Sequence, residues 1–161
     1  MWPFKKKIDK DIEQNLISFI EENCIPYGSR VWGGFTKNSD YDYLINTPIL
    51  LKLLSLLKLY NISYKEHNLY RPKLKNDGLY TIEINNKKYQ FIYYYSYDNS
   101  YYGFDEAINI MTKYSSIYDM SNKELRYNAF KQFFYIVHNK TKILDDQINN
   151  FMNEYFPEYG I

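Results

Sequence analysis

Two carboxylates, Asp40 and Asp42, stand two residues apart in the run Ser39-Asp40-Tyr41-Asp42-Tyr43-Leu44. In an extended strand, residues two apart project from the same face. Two carboxylates sharing a face repel each other unless a cation sits between them. Hard oxygen donors select Mg²⁺ or Mn²⁺, and Mg²⁺ favours few carboxylates together with substrate phosphates. Ten residues separate Asp40 from the upstream pair Gly28-Ser29. A Gly-Ser turn exposes backbone N–H groups and a hydroxyl, which together can hold a phosphate. A phosphate cradle followed by a carboxylate pair is the chemistry of a metal–nucleoside triphosphate site.

The segment Gly28 to Leu44 resembles the signature of the DNA polymerase beta-like nucleotidyltransferase superfamily, a Gly-Ser followed some ten residues later by Asp, an apolar residue and Asp. Arg30 after the Gly-Ser, Gly33 three positions on and Ser39 before the first Asp match small bacterial members. The start Gly103-Phe104-Asp105 of a later helix is similar in placement to short phage-type members. The resemblance covers about 17 residues closely and the element order to about residue 95 more loosely. It implies that Gly28, Ser29, Arg30 and Ser39 bind the nucleotide, Gly28 and Ser29 through its phosphates. It implies that Asp40 and Asp42 bind the metal ions that activate an acceptor hydroxyl and stabilise the leaving pyrophosphate.

A third carboxylate on a neighbouring strand completes the site in that family. The matching strand here is Lys88-Tyr89-Gln90-Phe91-Ile92, and its central residue is the amide Gln90, a weak metal ligand and no base. Glu83 is the alternative. If Asn85-Asn86 is a two-residue turn, Glu83 pairs with Lys88 and Thr81 with Gln90, so Glu83 is diagonal to Gln90. Glu83 is then either a metal ligand or half of a cross-strand ion pair with Lys88.

The elements that must position these groups follow from patterning. Ile8, Ile12, Leu16, Phe19 and Ile20 predict a helix over 8–22. A short extended piece ends at Gly28-Ser29, residues 30–39 read as a loop, and 40–46 as a strand. Thr47 as N-cap and Pro48 at the first position open a helix over about 48–60. Its only wet stripe is Lys52, Ser55 and Lys58. A strand over 62–67, a polar loop over 68–78 and two strands at 79–84 and 87–95 follow. Helices are predicted at 104–114, at 121–138 with a Ser121/Glu124 capping box, and at about 144–155. The expected fold is α/β (α+β), the nucleotidyltransferase fold: a small mixed sheet flanked by helices. Residues 1–102 form the core, and 103–161 a helical extension packed on it as one domain.

Composition narrows the function classes. The chain has 161 residues, 45% hydrophobic, with net charge +1, which argues against a globally basic nucleic-acid binder and against disorder. One cysteine, Cys24, allows neither an internal disulfide nor a Cys-rich zinc site, and His67 and His138 are too far apart to suggest a metal cluster. Cys24 reads as a small buried hydrophobe. Tyr is 20, Lys 17 against Arg 3, and Ala 2, the bias of a low-GC genome such as a virus, a phage or a Gram-positive bacterium. Many tyrosines, the Tyr93-Tyr94-Tyr95 run included, then reflect codon supply and strand propensity. No signal peptide or membrane span is visible, so a cytoplasmic location without membrane attachment is expected, in the host if the protein is viral.

Lys65, Arg71, Lys73, Lys75, Lys87 and Lys88, interleaved with Tyr70, Tyr80 and Tyr89, form either a solvated surface or a stacking track for nucleic acid. The resemblance implies an enzyme that uses Mg²⁺ or Mn²⁺ to transfer a nucleoside monophosphate from a triphosphate, ATP among them, to a hydroxyl of RNA, protein or a small molecule. The second reading, raised by Gln90, is a degenerate relative that binds a host protein or a nucleic acid.

Overall fold

The computed structural model describes residues 7–68, 77–94 and 104–138. Ten elements follow in chain order: α1 (Lys10–Asn23), β1 (Ile25–Tyr27), α2 (Ser29–Trp32), β2 (Tyr41–Ile45), α3 (Thr47–Leu59), β3 (Lys65–Asn68), β4 (Asp77–Ile84), β5 (Lys87–Tyr94), α4 (Phe104–Ser115) and α5 (Lys123–His138). They divide into two compact units. One comprises Met1–Pro26 with Asn38–Ser96, and the other Tyr27–Lys37 with Tyr97–Ile161. The segment 27–37 therefore folds with the C-terminal helices. The predicted helix at 144–155 lies outside the described residues.

The class is mixed α/β. A five-stranded sheet of order β1-β2-β5-β4-β3 is accompanied by helices, with β2 parallel to β5 and antiparallel pairs β5/β4 and β4/β3. Asn85 and Asn86 close the β4–β5 hairpin at φ 49° and 69°, the left-handed pair that a tight hairpin turn demands and that Asn tolerates. The turn sets the expected register, Glu83 opposite Lys88 and Thr81 opposite Gln90. Asn85 also ties the hairpin to α1. Its side chain accepts from the Ile8 N–H at 2.9 Å and donates to the Ile8 carbonyl at 3.1 Å and to Glu13 at 2.6 Å.

One face of the sheet packs on α1 and α3 through Leu16, Ile20, Leu50, Leu53 and Leu57 against Tyr43, Ile45, Ile82, Ile84, Tyr89 and Phe91. Cys24 belongs to this core, and burial pushes its thiol up to about 12. Two stacked aromatic pairs hold β2 to β5 on this face: Tyr41 on Tyr89 with ring centroids 4.9 Å apart, and Tyr43 on Phe91 at 5.7 Å. These tyrosines are thus packing residues. Tyr80 and Tyr89, which the stacking alternative would use, are 8% and 2% exposed, so neither presents a ring to a nucleic-acid base. Tyr80 instead donates its hydroxyl to Glu66 at 3.0 Å. Lys65, Lys87 and Lys88 are exposed. Tyr70, Arg71, Lys73, Lys75 and Tyr95 lie outside the described residues, as do the side chains of His67 and His138.

Three local expectations are corrected. The α3 cap is Asn46, whose side chain accepts from the Ile49 N–H at 3.0 Å, so Thr47 is already helical. Pro48 still fits, because the first-turn N–H it lacks has no partner within the helix. The exposed stripe of α3 is wider than Lys52, Ser55 and Lys58, since Leu51 and Leu59 are 60% and 73% exposed. One-sided packing against the sheet and α1 leaves that outer flank uncovered. The Ser121/Glu124 capping box is not formed. Asn122 caps α5 by accepting from the Leu125 N–H at 3.0 Å, while the Ser121 N–H donates to Asp119 at 2.9 Å.

In the helical unit, α4 packs on α5 and α2 on α4. Trp32, Ala107, Ile108, Met111, Met120, Ala129 and Phe133 are its buried centre. Among the described residues no helix is long and apolar enough to cross a membrane.

Candidate functional site

Strand pairing places the carboxylates. Tyr41, Tyr43 and Ile45 face the core, so Asp42 and Leu44 point to the opposite side of β2. Asp40 directly precedes the strand. Asp42 is aligned with Gln90 of β5, Gln90 with Thr81 of β4, and Thr81 with Lys65 of β3. Aligned residues share a face, so a polar row of Asp42, Gln90, Thr81 and Lys65 crosses the sheet opposite the α1/α3 core. The aromatic pairs fix this row: a one-residue slip of β2 against β5 would turn Asp42 into the core.

Asp42 is half-buried. Withdrawal from water, with the smaller repulsion of the neighbouring Asp40, pushes its carboxyl up to about 6. A cation at the pair would oppose both causes. The donor set, the carboxylates of Asp40 just before β2 and Asp42 within it, fits a Mg²⁺ or Mn²⁺ ion that completes its shell with water and phosphate oxygens.

Gln90 stands beside Asp42, at the position where the family pattern expects the third acid. Glu83 is not brought to the pair. It lies on β4, with β5 between it and β2, and it opposes the exposed Lys88. Two inter-strand spacings, about 10 Å, separate its backbone from that of β2. Among the described residues no group of three His, Cys, Asp or Glu side chains is placed to hold a metal.

The Gly28-Ser29 half of the motif belongs to the helical unit. Gly28 has φ 83°, a left-handed conformation that favours glycine. Ser29 then starts α2, where residues 30–39 were expected to be loop throughout. A single turn carries no periodic signal, which is why patterning misses it. The Gly28 carbonyl accepts from the Val31 and Trp32 N–H groups at 3.1 and 2.9 Å, and the Ser29 carbonyl from Gly33 at 2.9 Å. Arg30 donates to the Lys37 carbonyl at 3.3 Å and lies 5.0 Å from the centre of the Phe35 ring, so it braces its own loop. Ser39 is half-buried and stands on the sheet side of the boundary.

Sequence patterning misses three residues that hold this turn. Trp32 is 6% exposed, donates its indole N–H to Thr112 at 3.0 Å, and packs on Phe130 with ring centroids 5.1 Å apart. Arg126 directs Nη1 at the carbonyls of Gly33, Met120 and Ser121 at 2.7, 3.1 and 3.2 Å. Burial pushes its guanidinium pKa down, although an Arg at this depth stays charged. Gly34, at φ +81°, has no room for a Cβ, which would meet the Ser121 carbonyl oxygen and lie 2.7 Å from Arg126 Nη1. The available signal was scarcity, since Arg126 is one of three arginines among 20 basic side chains.

No family model matches the chain, and no curated protein matches it. Solved structures resemble it distantly. A cytoplasmic RNA terminal U-transferase matches at TM-score 0.38 and 14% identity, covering 77% of this chain and 39% of its own. The Cid1 poly(U) polymerase matches at TM-score 0.41 and 14% identity over 78% of this chain and 40% of its own. A second structure of Cid1, described by its RNA terminal uridylyl transferase activity, matches at 0.39 and 12% over 78% and 41%. The chain spans about two fifths of the length of these structures.

Proposed function

We propose that the chain is a nucleotidyltransferase, moving a nucleoside monophosphate from a nucleoside triphosphate to an acceptor hydroxyl with release of pyrophosphate. The observation that carries this reading is the carboxylate pair at the start of β2, with Asp42 half-buried beside Asp40 on the face opposite the core. Its spacing after Gly28-Ser29 and its resemblance to the superfamily signature support the same reading. Asp40 and Asp42 would hold Mg²⁺ or Mn²⁺. Bound there, such an ion supplies Lewis-acid stabilisation of the triphosphate and its leaving group. By the superfamily resemblance the Gly28 backbone, the Ser29 hydroxyl, Arg30 and Ser39 bind the nucleotide. A bond forms between the acceptor oxygen and the α-phosphorus, the α–β bridge to pyrophosphate breaks, and the acceptor proton leaves to solvent. RNA and protein hydroxyls are both acceptors compatible with this chemistry.

The test is label transfer from each α-labelled nucleoside triphosphate, with Mg²⁺ or Mn²⁺, in a low-GC bacterial lysate. An RNA or protein band that labels with the wild type and not with Asp40→Ala/Asp42→Ala is the expected result. Full labelling by Asp42→Ala overturns the assignment.

Gln90 favours a second reading. An amide beside Asp42 neither takes a proton nor binds a divalent cation well. A chain that binds the triphosphate without transferring it, and that occupies a host protein or a nucleic acid, follows from that substitution. Triphosphate binding without label transfer distinguishes it, and Gln90→Asp should then create or raise transfer.

A further inference from the structure

We infer that Arg126 is a positioning residue for the Gly28-Ser29 turn, so that triphosphate affinity is set from α5, nearly a hundred residues downstream. The inference rests on the transferase reading, in which that turn holds the phosphates. Its geometry lies wholly within the helical unit. The turn is one hydrogen-bonded piece: Gly28 accepts from Val31 and Trp32, and Ser29 accepts from Gly33. Gly33 closes it, and the Gly33 carbonyl is the shortest of the three contacts of Arg126 Nη1, at 2.7 Å. The same nitrogen reaches the Met120 and Ser121 carbonyls just before α5. One side chain therefore fixes the end of α2 and the start of α5 to each other.

The backbone is shaped for this contact. Gly33 and Gly34 both have positive φ, at 123° and 81°. A Cβ on Gly34 would press on Ser121 and on Arg126 Nη1 itself. Trp32 supplies a second anchor through Thr112 and Phe130. Arg126 is half-buried, and even partial withdrawal of a guanidinium from water costs free energy that a fully exposed arginine does not carry. Packing Trp32 alone would have fastened α2. What the arginine adds is direction: three carbonyl acceptors converge on one nitrogen, which fixes how the turn's N–H groups are aimed.

The test uses the full-length chain and two separate titrations, one with each Mg²⁺–nucleoside triphosphate by calorimetry and one with Mn²⁺ alone by electron paramagnetic resonance of the free ion. Arg126→Gln should weaken the triphosphate by about tenfold or more, the order by which an outer partner tunes a bound group. Mn²⁺ affinity, owed to Asp40 and Asp42, should stay unchanged. Arg126→Lys should recover most of the loss, because one ammonium can serve all three carbonyls that Nη1 serves. Gly34→Ala should reproduce the loss with Arg126 intact, and it keeps the test open if Arg126→Gln does not fold. Unchanged triphosphate affinity in Arg126→Gln or Gly34→Ala overturns the inference and leaves the transferase reading standing. Parallel loss of triphosphate and Mn²⁺ affinity also overturns it, since a merely structural arginine would do that. A wild type that binds Mn²⁺ and no triphosphate overturns both.

Discussion

The two halves of the candidate motif are held by different physics. Asp40 and Asp42 are placed by strand pairing. Their position follows from the β2–β5 register, and that register is locked by Tyr41 on Tyr89 and Tyr43 on Phe91 on the far face. Gly28 and Ser29 are placed by single long-range contacts, Arg126 to Gly33 and Trp32 to Thr112. The first arrangement is redundant, because many backbone bonds and two ring pairs all enforce it. The second depends on a few side chains, each of which can be removed alone. Carboxylates that share an ion need fixed spacing, which a strand supplies without further help. A phosphate-holding turn needs its N–H groups aimed, and a one-turn helix cannot aim itself.

This contrast can be broken most forcefully at Phe91, which is fully buried. Phe91→Ala should cost about 3–5 kcal/mol in urea unfolding and should weaken Mn²⁺ binding with it. Loss of stability with Mn²⁺ affinity intact would mean that the aromatic pairs do not set the carboxylate register. Next in size is the pH dependence of Asp42. Its carboxyl titrates at 3.8 in the ordinary case and is raised to about 6 in the fold. Between these values the native state keeps a proton that the unfolded chain has released, so stability falls as pH rises through that window. Asp42→Asn should gain about 2 kcal/mol above pH 7, allowing for the water that still reaches the group, and should gain nothing near pH 4. Parallel stability curves for wild type and variant from pH 4 to 8 would remove the strain attributed to the pair. The smallest effect sharpens the helical side. Asn122→Ala should cost about 1 kcal/mol as a lost cap, and Ser121→Ala close to nothing. The reverse order in thermal unfolding would restore the capping box at Ser121.

Much of the sheet was legible because its signals are local. Asn85-Asn86 marks the hairpin, the hairpin sets Thr81 against Gln90, and alternation assigns the faces. The caps of α3 and α5 were misplaced by one residue for a local reason too. Asn46 and Asn122 precede Thr47 and follow Ser121, and an Asn side chain caps as well as either. Leu51 and Leu59 fall outside the expected wet stripe because periodicity says which face of a helix is apolar, and not how much of that face a partner covers.

The sequence by itself determined the chemistry on offer: two carboxylates two residues apart at the start of a strand, a Gly-Ser turn before them and an amide where the resemblance expects a third acid. Those are properties of residue type and short spacing, and backbone geometry fixes their consequences within a few residues. Only the tertiary structure decided that Glu83 is separated from the pair by a whole strand, that Tyr80 and Tyr89 are core, and that Arg126 holds the Gly33 carbonyl. Each of those facts depends on residues distant in sequence meeting in space. No spacing rule in the chain encodes such a meeting, because burial and long-range hydrogen bonds are settled by how whole elements pack.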